Sequence, residues 1–170
     1  MRNKYYLITF LIIVIDQAAK WFVRAKLRSD LPIEIIPGYL RLSYWQNSGV
    51  AFGLFDDMSS AWKPYVLAAM AIVAVAVIVI YSLRVPASRK LLQLALAVMT
   101  GGILGNFIDR IVRGYVIDFI DFHIHSSFSW PTFNIADSTI TIGIALLLID
   151  TVLNPATEEA ADQPTVDGQP

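Results

Sequence analysis

The chain has no cysteine among its 170 residues, which excludes a disulfide framework, a thiol nucleophile and any thiolate-held metal or iron–sulfur cluster. Charge is scarce too: Asp, Glu, Lys and Arg make up 16% of the residues, against roughly 25% in ordinary soluble proteins. Neither sign dominates, with 13 basic and 14 acidic side chains, so there is no basic footprint for nucleic acid. Histidine occurs twice, as His123-x-His125; two histidines in a short connection read as solvent-facing, and neither a metal nor another cofactor is expected. There is no internal repeat. What abounds is apolar surface: 56% of residues are hydrophobic and the mean hydropathy is +0.57. These values describe an integral membrane protein, with length for one domain and a handful of spans.

A hydrocarbon core about 30 Å thick is crossed by about 20 apolar residues in a helix. Pro64–Leu83 and Leu91–Ile108 reach that scale without a charge, Tyr5–Val23 carries Asp16 and Lys20, and Ile135–Leu153 carries Asp137 and Asp150. Four transmembrane helices are expected over these segments. Arg2 and Lys4 before an apolar run also resemble a secretory signal peptide. The following Asp16-Gln17-Ala18-Ala19-Lys20 lacks a small-x-small cleavage pattern, so the segment reads as a retained span. Ile33–Ile36, the turn Pro37-Gly38 and Tyr39–Trp45 predict a β-hairpin. Phe52–Trp62 mixes aromatics with Asp56 and Asp57, as an interfacial segment does. Residues 1–154 then form one membrane-embedded domain. Residues 155–170, with Glu158, Glu159, Asp162 and Asp167 and no base, predict a disordered acidic tail.

Span parity gathers the acids. With the N-terminus on side A, Asp16 lies about 18 Å along its helix from Lys4, past the midplane toward side B. Asp109 and Arg110 end the third span on side B, Asp137 begins the fourth there, and Asp118 lies in the loop between them. An Asp at a helix centre costs at least about 2.5 kcal/mol to insert and normally marks a functional interior. Each acid also has a plainer reading. Asp16 and Lys20 have i, i+4 ion-pair spacing, Asn134 and Asp137 fit a helix N-cap with its N3 carboxylate, and Asp150 reads as an interfacial residue on side A. Gly101 and Gly105 form a G-x-x-x-G, extended by Ala97, that lets another helix approach. Beyond it Asn106, Asp109 and Arg110 share a face, as do Asn134, Asp137, Ser138 and Thr141.

Two carboxylates about 4 Å apart repel by about 4 kcal/mol at an effective dielectric near 20, so near neutrality one keeps its proton. Such a pair can take a proton from water with one member and protonate a carbonyl oxygen with the other. Asp118 and Asp137 are the natural pair, presented by one connection; Asp109 and Asp16 compete with them on physical grounds. Rival readings are a proton-coupled transporter using Asp16, Asp109 and Asp137 as a relay, a scaffold joined through the glycine face, and a serine–lysine peptidase using Ser59 or Ser60 with Lys63. The transporter lacks polar residues leading to side A. The scaffold leaves the Asn/Asp faces unexplained, and nothing supports the serine arrangement.

The chain resembles the bacterial lipoprotein signal peptidases (signal peptidase II) over nearly its whole length. The resemblance is carried, in order, by Asp16-Gln17-x-x-Lys20, Asn47-Ser48-Gly49-Val50-Ala51-Phe52-Gly53, Gly101-Gly102-x-x-Gly105-Asn106-x-x-Asp109-Arg110, Val116-Ile117-Asp118-Phe119 and Phe133-Asn134-Ile135-Ala136-Asp137-Ser138. Val50 departs from the small residue usual at its position. The resemblance implies a membrane all-α fold with a small β element: four transmembrane helices, an extracytoplasmic β-cradle over about 30–55 and an interfacial helix over 52–62. It implies a catalytic dyad of Asp118 and Asp137 that needs no cofactor. It also implies a substrate site lined by Asn47, Gly102, Asn106, Arg110 and Asn134, with Asp16 as support or substrate contact and Lys20 and Asp109 as support. The implied substrate is a diacylglyceryl prolipoprotein, cut just before its lipidated cysteine. The setting is the bacterial inner membrane, among lipid and as a monomer, with the site on the extracytoplasmic face. Counting bases gives the opposite orientation: five on side A (Arg2, Lys4, Arg84, Arg89, Lys90) against eight on side B (Lys20, Arg24, Lys26, Arg28, Arg41, Lys63, Arg110, Arg113).

Overall fold

The computed structural model describes residues 3–28, 31–49, 62–125 and 127–155. Four helices long and apolar enough to cross a membrane run over Asn3–Leu27 (α1), Lys63–Arg84 (α2), Lys90–Arg113 (α3) and Ile135–Leu153 (α4). Each contains one of the expected spans. The interfacial segment over 52–61, Ser59 and Ser60, and the acidic tail from residue 156 lie outside the described residues.

Helix α3 is the hub and packs against α1, α2 and α4. Its most apolar stretch is 61% buried inside the protein, against 6% for α2; α2 instead presents Val66, Met70, Ile72, Val73, Val77 and Ile80 outward, as lipid contact requires. Small residues make the close crossings possible. A Cβ on Gly101 would come within 2.8 Å of Ile12, and one on Gly102 would overlap the Ala136 carbonyl. The glycine face thus receives two helices, α1 and α4.

Helices α1 and α3 run past their expected ends, to Leu27 and Arg113. Charged residues stop a hydropathy reading, Arg24 and Lys26 on α1 and Asp109, Arg110 and Arg113 on α3; on α3 they find partners, Arg113 pairing with Asp109, and both helices continue. Gly114, at φ +79°, ends α3 in the left-handed conformation that glycine adopts without penalty.

The β element is a four-stranded antiparallel sheet in the order β1 (Ile33–Ile36), β2 (Leu40–Asn47), β3 (Val116–Ile124), β4 (Phe128–Ser129). The β1–β2 hairpin was expected, with its turn at Gly38 (φ +79°). The strand β3 corrects the reading of residues 116–124 as loop. Its partner β2 lies far away in sequence, with Arg41 opposite Asp121, Trp45 opposite Asp118 and Asn47 opposite Val116, so the pairing has no local signature. Ile117 and Phe119 from β3 pack on Val23 and Leu27 of α1. This small core seats the sheet on the end of the bundle and turns Asp118 toward α3 and α4.

Candidate active site

Asp118 projects from β3 and is 1% exposed. Its Oδ2 accepts the Asn47 side-chain amide at 2.9 Å, and its Oδ1 accepts Asn134 Nδ2 at 2.6 Å. Asn47 stands opposite Val116, two residues from Asp118, which makes it a diagonal neighbour across the ladder. Asp137 occupies the first turn of α4. Its Oδ2 accepts the backbone N–H of Asn134 at 3.2 Å, while the Asn134 side-chain oxygen accepts the Asp137 N–H at 2.9 Å. This reciprocal capping box is the plainer reading of the pair, and it is present. It also serves the site. One residue, Asn134, holds Asp137 with its backbone and Asp118 with its side chain. Asn106 completes the frame, donating from Nδ2 to Asp137 Oδ1 at 2.8 Å and accepting Asn134 Nδ2 at 3.2 Å.

Below this frame lies a layer of charge without solvent contact: Asp16, Lys20 and Asp109 are each 0% exposed. Lys20 Nζ reaches Asp16 at 2.8 Å, Asp109 at 3.1 Å and the Asn106 side-chain oxygen at 2.9 Å. Asp16 Oδ1 accepts the Ala136 N–H at 2.9 Å, and Asp109 Oδ2 accepts the Ile117 N–H at 3.1 Å. Both acids spend their oxygens on the fold, and Asp16 lies beneath the Asp118–Asp137 pair. The spacing of Asp16 and Lys20 gave only a local ion pair; the structure extends it into a network joining α1, α3, β3 and α4.

Arg110 sits at the rim. It donates to the Asn106 carbonyl at 3.3 Å and to the Gly49 carbonyl at 3.2 Å, and its charge acts on both Asp137 and Asp118. Gly102 faces α4 at the helix crossing rather than open space. Two members of the network were missed. Gln17 donates to Asp109 at 3.0 Å and to the Gly105 carbonyl at 3.1 Å, and Arg113 pairs with Asp109. Arg113 was counted as a loop charge, although its i, i+4 spacing from Asp109 was available as a signal.

Burial raises the Asp118 carboxyl from 3.8 to about 7, aided by the Asp137 charge and opposed by the amides of Asn47 and Asn134 and by Lys20. A carboxyl that titrates near neutrality can both hold and release a proton under ordinary conditions.

Outside this cluster one acid finds a partner and one histidine needs correction. Asp150, expected at the interface, is 2% exposed and paired with Arg89. His123 is buried with Nδ1 at 3.5 Å from Asp121, so it does not face solvent; His125 is exposed and lies edge-on to Tyr39. The strand's alternation turns His123 inward, which a loop reading could not show.

A four-helix scaffold long and apolar enough to cross a membrane, with the buried Asp118 and the half-buried Asp137 joined through one asparagine, defines a multi-pass membrane protein with paired carboxyls at one end of its bundle. Comparison with known proteins narrows this. The family model described as signal peptidase (SPase) II matches residues 8–153. Lipoprotein signal peptidases of Pseudomonas aeruginosa (strain UCBPP-PA14) and Symbiobacterium thermophilum are 39% and 40% identical, spanning 91% and 83% of this chain and 90% and 89% of theirs. Two solved structures, both described as bacterial membrane enzymes obtained by the in meso method, superpose with TM-scores of 0.78 and 0.76. They are 29% and 31% identical, cover 95% and 91% of this chain, and are themselves covered over 94% and 95% of their lengths. The chain belongs to the signal peptidase II family.

Proposed function

We propose that Asp118 and Asp137 are the catalytic dyad of a peptidase that removes the signal peptide from a diacylglyceryl prolipoprotein, cutting before the lipidated cysteine. One observation carries this reading: Asn134 grips both carboxyls at once, Asp118 Oδ1 at 2.6 Å and Asp137 Oδ2 at 3.2 Å. Asp137 is the better seat for a negative charge, because it lies in the first turn of α4, where the helix dipole favours an anion. Asp118, held up to about 7, is the member that keeps the proton. With one shared proton the dyad carries a single negative charge, which Arg110 balances.

Asp137 then takes a proton from water as its oxygen bonds to the scissile carbonyl carbon, and Asp118 gives its proton to the carbonyl oxygen. The tetrahedral diol collapses as the C–N bond breaks: one of its hydroxyls returns its proton to Asp118 while the leaving nitrogen receives the proton held by Asp137, which restores the pair to its starting state. Asn47, Asn106, Asn134 and Arg110 surround the place where the peptide would lie. The lipid-facing surface of α2 and α4 suits a substrate anchored by acyl chains, and one chain holds every residue of the network, consistent with a monomer.

We place the dyad at the extracytoplasmic face of the inner membrane. The adverse count of bases evens out once partners are considered, since Lys20, Arg41 and Arg113 on side B and Arg89 on side A are paired with carboxylates and Arg110 faces the dyad. The test is cleavage of a diacylglyceryl prolipoprotein by purified protein in detergent. Asp118→Asn and Asp137→Asn should each abolish cleavage with the fold intact; turnover surviving in either variant rejects the dyad.

A further inference from the structure

Lys20 makes one contact that holding the helices together does not require. Its ammonium already joins α1 to α3 through Asp109 and pairs with Asp16 on its own helix, and Asp109 has a second cation in Arg113. The remaining contact goes to a neutral amide, the Asn106 side-chain oxygen at 2.9 Å. We propose that Lys20 is a positioning residue for the reaction: it fixes the Asn106 amide so that Nδ2 faces Asp137 and holds that carboxylate as the proton acceptor. The inference rests on the dyad reading and deepens it.

An ammonium can only donate, whereas an asparagine side chain has one donating end and one accepting end. Turning the Asn106 amide over would set its NH2 against Lys20 Nζ and against Asn134 Nδ2, now at 2.9 and 3.2 Å from the oxygen. It would also set its oxygen against Asp137 Oδ1, which now receives Nδ2 at 2.8 Å. All three contacts would become like-with-like. The orientation is therefore locked by charge-assisted contacts at both ends of the amide, Lys20 on its oxygen and Asp137 on its NH2. The chain of contacts runs from a cation with no solvent exposure, through one amide, to a reacting carboxylate. Other charges around Lys20 are Asp16 on its own helix, Asp109, Arg110 and Arg113 on α3, Asp118 on β3 and Asp137 on α4. Asp16 and Asp109 balance Lys20 and Arg113, so removing Lys20 together with the Asp16 charge leaves the layer neutral.

The experiment compares Lys20→Met/Asp16→Asn with Lys20→Gln/Asp16→Asn, measuring kcat, KM and the pH profile of prolipoprotein cleavage. An amide at residue 16 can still accept the Ala136 N–H. The methionine pair should lose kcat by about ten- to a hundredfold, the range of one hydrogen bond to a charged group, with KM little changed. Its profile should move to higher pH, because Lys20 favours the ionised form of Asp118. The glutamine pair, which can still donate to Asn106 but carries no charge, should recover part of the kcat while its profile stays displaced. A kcat loss with an unmoved profile, or equal losses in both pairs, would overturn the inference. Asn106→Asp supplies a second arm that leaves Lys20 in place. Positioning predicts activity lost above neutrality and regained in acid, where the new carboxyl can donate again; an unchanged profile would refute it. Failure here differs from failure of the dyad, which would show as turnover in Asp118→Asn or Asp137→Asn.

Discussion

Replacing Asp118 with asparagine is expected to move stability in opposite directions on the two sides of neutrality. The folded protein holds this carboxyl up from 3.8 to about 7, chiefly by burial and then by the Asp137 charge. A group whose folded pKa is raised above its unfolded value binds its proton more tightly in the native state. Its contribution to stability is fully present below the unfolded value and is lost as pH rises through about 7. The difference between 3.8 and about 7 corresponds to about 4 kcal/mol. The Asp118→Asn variant removes that ionisation. It also introduces an NH2 that must face one of two amide donors, Asn47 Nδ2 or Asn134 Nδ2, a mismatch of about 1–3 kcal/mol at every pH. The variant should thus be less stable than the parent in acid by about 1–3 kcal/mol, and more stable above neutrality by a similar amount. Thermal unfolding of the two proteins in the same detergent, at a series of pH values, measures the crossing. A stability difference that stays constant with pH would refute the reasoning, because it would mean that the folded protein does not perturb this carboxyl.

Asn47→Ala removes a hydrogen bond that favours the ionised form of Asp118, so the alkaline limb of the cleavage profile should move up by about one pH unit, the scale of one charge-assisted bond; a limb that stays or moves down contradicts the assignment. Gly102→Ala should separate α3 from α4 next to Asp137, because the new Cβ overlaps the Ala136 carbonyl; a loss of about 1–3 kcal/mol is expected from overpacking, together with a fall in kcat, read by unfolding and by cleavage. Asp150→Asn breaks the pair between the buried Asp150 and the partly exposed Arg89; it should lower Tm, reflecting about 1–3 kcal/mol, with kcat unchanged, since the pair lies at the far end of the bundle from Asp118 and Asp137.

The four spans were legible in the sequence because membrane insertion is a local property: length and hydropathy suffice, and each expected segment falls within an observed helix. The glycine face and the α4 capping box were legible for the same reason, their spacing being fixed by the helix itself. Parity placed Asp16, Asp109, Asp118 and Asp137 on one side of the membrane, and no sequence argument could go further, because a strand's partner and a helix's rotation are non-local. Only the tertiary structure made 116–124 a strand, by pairing it with β2 and burying Ile117 and Phe119 on α1. Only packing decided that Asp16 and Asp109 satisfy Lys20 and backbone N–H groups while Asp118 and Asp137 share Asn134. A carboxylate's chemistry depends on which donors surround it, and those donors come from four separate elements whose meeting is set by the fold.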